Sequence, residues 1–117
     1  MRHDVYYYFQ QACRRDNRNS AEAMHWVDED DARAGFALSL DANGRIAAVD
    51  YRCTTCMTLV ALCEHVAEQL RGATLEQALS LSAGELLCRH PEVPTIRRSR
   101  AHLAVAAAHA ALKEIYS

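Results

Sequence analysis

The chain has 117 residues, the length of a single ordinary domain spanning 1–117, and half of them are hydrophobic, so a core can form without metals or disulfides to hold it. A formal charge of −2 advertises neither a nucleic-acid groove nor an acidic substrate, so no nucleic-acid partner is expected. No run of about 18 apolar residues is present to span a membrane, and the opening Met-Arg-His-Asp lacks the apolar stretch of a secretory signal.

The expected compartment is therefore cytoplasmic. There the five cysteines, Cys13, Cys53, Cys56, Cys63 and Cys88, are expected reduced, and their odd number argues against a closed disulfide framework.

In chain order, residues 4–14 read as a short amphipathic helix with Val5, Tyr8, Phe9 and Ala12 on one side. Residues 14–20 are polar and read as a loop, and residues 21–27 fit more than one state. Asp28-Glu29-Asp30-Asp31 reads as exposed backbone between elements, with a third strand expected from around 22–33 or from the N-terminal segment. Residues 34–40 alternate, placing Phe36, Leu38 and Leu40 on one face. Asn43-Gly44 then signals a hairpin turn, because both residues tolerate positive φ. Residues 45–52 supply the returning strand, with Ala47, Val49 and Tyr51 on one face.

A helix is expected to start near Cys56, capped by Thr54 or Thr55. Its apolar stripe runs through Cys56, Val60, Cys63, Ala67 and Leu70, widened by Leu59, Leu62 and Val66, and Gly72 ends it. Thr74-Leu-Glu-Gln77 is a capping-box pattern, and Ser82-Ala-Gly-Glu85 repeats it. Pro91 and Pro94 frame a connector. A long Ala-rich helix fills about 99–116, with Leu103, Ala106 or Ala107, Ala110 and Leu112 facing inward. Its small side chains can pack closely on a neighbour, so a homodimer is compatible with the sequence.

Cys53-Thr54-Thr55-Cys56 lies where the second hairpin strand hands over to a helix. Two thiols three residues apart at such a junction can chelate a soft metal, carry sulfur or cycle as a dithiol. At a helix N-terminus, unpaired N–H groups and the dipole favour thiolate, the form that ligates metal. Cys56 is read as that thiolate, against the plainer reading of a small buried residue. Cys53 is either a replacement ligand or a strand residue that happens to be Cys. Cys63 falls on the core stripe and reads as a small hydrophobe. Cys88 and His90, two apart near a loop, could both reach a metal, or be a helix-end thiol and a solvent-facing ring. His65, beside Glu64, reads as surface, and His102 could point toward the Cys56 end. A dithiol oxidoreductase on Cys53 and Cys56 is disfavoured, because the βαβ context of such enzymes is missing.

Several landmarks in one order resemble the NifU N-terminal/IscU-type iron–sulfur cluster assembly scaffold family over roughly residues 34–116. They are the turn Asp41-Ala-Asn-Gly44 with its following strand, Cys56 after that strand, Gly72-Ala-Thr-Leu-Glu-Gln-Ala-Leu79, and Arg100-Ala-His-Leu-Ala104 opening the Ala-rich helix. The resemblance implies an α+β fold, SufE/NifU-like: a small antiparallel sheet of about three strands with helices packed on one face. It implies a binding and transfer protein, not an enzyme. The protein would hold an iron–sulfur cluster or iron, or zinc, through cysteine thiolates, and its partners would be a cysteine desulfurase and acceptor apoproteins.

Cys56 matches one of the family's three ligand cysteines, and Cys53 and Cys88 are the candidates to complete a metal set. The first ligand position falls near Asp30 and the third on Arg100, with Ser99 in place of the histidine that often precedes it. Arginine has no lone pair to give a metal. Two readings follow for Arg97, Arg98 and Arg100: an ion pair with the acidic run that closes the site, or two unrelated exposed charge runs. If the site is lost, the chain is a regulatory or interaction partner of the assembly machinery.

Overall fold

The computed structural model describes residues 3–14, 24–29 and 31–116. Helix α1 (Val5–Arg14) is followed by strands β1 (His25–Glu29), β2 (Ala32–Leu40) and β3 (Ile46–Cys53). Helices α2 (Met57–Leu70), α3 (Leu75–Leu79) and α4 (Ala83–Arg89), a 3-10 turn (Thr95–Arg97) and α5 (Ser99–Ile115) complete the order. The strands form one antiparallel sheet in the order β1-β2-β3. Helices α2 and α5 pack against the sheet, and α1 lies on α2. This is the α+β fold, with helices covering the sheet.

The predicted hairpin is β2–β3. Asp41 Oδ1 accepts from the Asn43 and Arg45 N–H groups at 2.8 and 3.0 Å, and Gly44 takes φ +80°. Pairing brings Phe36 opposite Tyr51 and Leu38 opposite Val49, and then shifts between Ser39 and Leu40, so that Leu40 faces Ile46. The extra residue on β3 corrects one expectation: Ile46, not Ala47, turns inward, and Ala47 is exposed.

A second correction concerns the acidic run. Asp28 and Glu29 are not loop but the end of β1, paired with Arg33 and Ala32. An edge strand tolerates charge on its solvent side. Asp28 bridges to Arg33 at 3.2 Å, and the Arg33 guanidinium lies 4.2 Å over the Trp26 ring. Trp26 sits across from Gly35, where a Cβ would meet the ring at 2.9 Å, so glycine makes room for the indole. The loop expected at 14–20 and the segment 21–23 lie outside the described residues, apart from Arg14, which ends α1.

Helix α2 is buried almost all round its middle, from Ala61 to Ala67, because α1 covers the side that the sheet and α5 leave open. Its C-terminus is pinned to β3: the Gly72 N–H donates to Ile46 O at 2.7 Å, and the Ile46 N–H donates to Ala73 O at 3.0 Å. Gly72 makes that turn at φ +79°, a region costly for residues with a Cβ. Thr74 and Gln77 form the expected capping box, and Ser82 caps α4 by accepting from the Glu85 N–H. In α5 the alanines Ala101, Ala104, Ala107, Ala108 and Ala111 are buried and let the helix lie close on the sheet, while Ala106 is exposed.

Candidate functional site

The β3–α2 junction is stitched to β2. The Arg33 N–H donates to Thr54 Oγ1 at 2.9 Å, and the Thr54 N–H donates to Arg33 O at 3.0 Å. Thr54 is thereby committed to the sheet. It does not cap α2 as expected, and neither does Thr55: the N-cap is Cys56, in extended backbone, with no side-chain cap on the first turn. The cysteine backbone carbonyl accepts the first helical bond, from Val60 at 2.8 Å. This places Cys56, half-buried, at the open positive end of a helix.

A pocket of about 420 Å³ opens there, lined by Asp31, the 54–58 segment, Arg97 and Arg100. Arg100 comes from the first turn of α5 and is only 8% exposed. Its guanidinium donates to Asp31 Oδ1 at 3.3 Å, and Arg100 and Cys56 line the same pocket. Burial alone would lower the Arg100 pKa; the bonds and charges of Cys56 and Asp31 outweigh it and raise the value above its ordinary one. Of the two readings of the charge runs, the ion pair is formed, by Arg100 with Asp31. Arg98 is exposed and lies outside the pocket lining.

Cys53 turns elsewhere. Residues 49, 51 and 53 of β3 share the face toward the helices, since strand side chains alternate. The Cys53 thiol therefore meets Cys63 of α2, which is fully buried as expected. The hydrogen bond to Cys53 and burial push the Cys63 thiol well up, while accepting that bond lowers Cys53 against its own burial.

Cys88 is exposed and lines a different cleft, of about 630 Å³, with Tyr8 of α1 and His65, Glu68 and Gln69 of α2. His90, two residues on, is 1% exposed, so the pair splits between surface and interior. It is not a solvent-facing ring. His102 is exposed and is not part of the Cys56 pocket lining. The position expected near Asp30 lies outside the described residues. Among the described residues no three His, Cys, Asp or Glu side chains gather closely enough to hold a metal ion.

The expectation for His65 is overturned. It is 3% exposed, at the centre of a hydrogen-bonded chain. His90 Nδ1 lies 3.1 Å from Glu92 Oε2, which also accepts from the Val5 N–H at 2.8 Å. A carboxylate only accepts, so His90 donates from Nδ1 and accepts at Nε2 from His65 Nδ1 at 2.7 Å. His65 Nε2 then accepts from Gln69 at 3.2 Å. Tyr8 stacks flat on His65 with centroids 4.3 Å apart. Burial first, then electrostatic contributions from His90, Arg89 and His3, bring the His65 pKa down to about 4. Sequence reading missed this network, whose only signal is a histidine amid the small and apolar residues of α2.

Comparison with family models matches residues 30–117 to the NifU-like N terminal domain, and the chain belongs to that family. A search of curated proteins gave no match. Membership supports a place in iron–sulfur cluster assembly. The residues that line the pocket, however, do not reproduce the three-thiolate set implied by the resemblance: among the described residues Cys56 is the one cysteine there, and Arg100 fills the third position with a guanidinium.

Proposed function

We propose that the chain is a scaffold-like protein of cytoplasmic iron–sulfur cluster assembly, working by binding and transfer rather than by catalysis. Iron, zinc or a cluster is its cargo. Cys56 is the thiolate that takes it, Asp31 in the same pocket is the second donor this chain offers, and the remaining donors come from the docked cysteine desulfurase or acceptor apoprotein. The observation that carries this reading is Cys56 at the uncapped start of α2, opening on a pocket shared with a carboxylate, in a chain of this family. Soft thiolate suits iron–sulfur clusters and zinc. Arg100 must release Asp31 before a cation can sit between that carboxylate and Cys56.

Anaerobic reconstitution with a cysteine desulfurase, cysteine and ferrous iron tests this. Visible absorption is expected with the native chain and with Cys88→Ala, and is expected to vanish in Cys56→Ala. No absorption and no bound metal with the native chain would refute it. The Arg100–Asp31 pair favours a second reading: a metal-free interaction partner of the same machinery, which would bind the desulfurase equally well with or without Cys56.

A further inference from the structure

We infer that Cys53 and Cys63 form a reversible disulfide when a peroxide reaches them, a modification site set apart from the Cys56 pocket. This goes beyond the cargo reading and does not rest on it, since neither thiol lines that pocket.

Fixed backbone brings the two sulfurs together. Register pairs Cys53 with Ala34 at the end of β3, and Thr54 after it is bonded to Arg33 in both directions, so the strand is held on either side of the thiol. Alternation turns Val49, Tyr51 and Cys53 toward the helices. Cys63 stands in the second turn of α2, which packs on β3. Cys53 packs against the core cluster that contains Cys63, and the two thiols share a hydrogen bond. Both are free thiols, but their exposure differs: Cys53 is half-buried and Cys63 is fully buried. That asymmetry divides the work between them. A small oxidant meets Cys53 first. Accepting the bond from Cys63 favours the thiolate at Cys53, the nucleophilic form, while the same bond and burial keep the proton on Cys63.

The reaction needs hydrogen peroxide and nothing else. The Cys53 thiolate attacks one peroxide oxygen; an S–O bond forms as the O–O bond breaks, and the departing hydroxide takes up the proton that Cys53 gave away, leaving as water. The Cys63 sulfur then attacks the sulfenic sulfur of Cys53. The S–S bond forms, the S–O bond breaks, and the second hydroxide leaves with the Cys63 proton as water. Two thiols thus lose two electrons and two protons, and the peroxide becomes two waters. Because the second thiol is already in place, this step is intramolecular and outruns further oxidation of Cys53. Disulfides of reducing compartments are transient and redox-sensing where they occur. The bond closes a ring over residues 53–63, which contains Cys56 and the open start of α2, so oxidation clamps the junction that presents that thiol.

The test oxidises metal-free protein with hydrogen peroxide, removes the excess with catalase, and unfolds the chain in urea with N-ethylmaleimide. Trypsin cuts after Arg52 and Arg71 and releases Cys53, Cys56 and Cys63 in one peptide, 53–71, which is read by mass spectrometry. The native chain is expected to lose two of the three labels on that peptide and to regain both after dithiothreitol. Cys56→Ser is expected to lose both of its labels, because the bond does not involve Cys56. Cys63→Ala, which keeps a small apolar side chain in the core, is expected to form no disulfide and to leave a Cys53 sulfenic acid that dimedone traps. A disulfide that survives Cys63→Ala and vanishes in Cys56→Ser joins Cys53 to Cys56 and would overturn the proposal. Full labelling of all three cysteines in the oxidised native chain would overturn it as well. Metal content decides the cargo reading and does not enter this measurement, so the two proposals fail separately.

Discussion

Thr54 decides where Cys56 stands. Its hydroxyl accepts the Arg33 N–H and its own N–H returns a bond to Arg33, so the last residue before the turn is fixed to the neighbouring strand. Thr54→Val keeps shape and β-propensity but strips the acceptor. A loss of about 1 kcal/mol is expected by urea denaturation, with faster alkylation of Cys56 as the junction loosens. Gly35 is the other position where one atom matters. Gly35→Ala puts a methyl at 2.9 Å from the Trp26 ring, and a blunted, red-shifted Trp fluorescence is expected as the indole is pushed outward. Such residue-level facts were legible where the partner is near in sequence, as in the Asp41–Gly44 turn and the Thr74–Gln77 box. They were not legible for Cys53. Its C-x-x-C spacing points to Cys56, yet the pleat of β3 turns it toward Cys63.

At the scale of elements, α1 is held to α2 by packing and by the chain Gln69–His65–His90–Glu92, which ends on the Val5 N–H. The groups facing His65 are Tyr8 and His3 from the N-terminal side, Glu68 and Gln69 on its own helix, and Arg89, His90 and Glu92 from the α4 end. His65 has a folded pKa of about 4 against an ordinary 6.5, so its neutral form favours the fold. That contribution is complete above about pH 6.5 and is lost as pH falls through about 4. At about 1.4 kcal/mol per unit it amounts to roughly 3 kcal/mol. Glu92 acts in the same sense: burial alone would raise its pKa, but the bonds from Val5 and His90 bring it below the ordinary value. Stability measured by urea denaturation should therefore fall between pH 6.5 and 4, and His65→Leu should flatten that slope. An unchanged slope in the variant would contradict the assignment. Periodicity could not reveal this network, because its central contact joins residues 25 apart in sequence and the polar side of α2 looks like a solvent face until α1 covers it.

For the whole molecule, the sheet with its covering helices was legible because β2, β3, α2 and α5 each carry the period of their structure. β1 was legible only as a strand somewhere in 22–33, because a run of four carboxylates obscures its bounds, although two of them end it on the sheet edge. The core joins both layers through Phe36, Leu59, Leu62, Leu103 and Leu112, all within 1% of complete burial. Phe36→Ala should cost about 3–5 kcal/mol, read as a lower urea midpoint, since neighbours on both layers cannot collapse into the void. The same scaffold separates two sites. The Cys56 pocket lies where β3 meets α2 and α5 begins, and the His65 cleft lies among α1, α2 and α4. A variant in one is therefore expected to leave the other unchanged.

The most direct measurement is iron and zinc content per chain, by elemental analysis, in protein purified without air alongside a cysteine desulfurase. The account predicts metal on the native chain and on Cys88→Ala, and its loss in Cys56→Ala with the fold retained by circular dichroism. Equal metal on the native chain and on Cys56→Ala, or none on either, would contradict it.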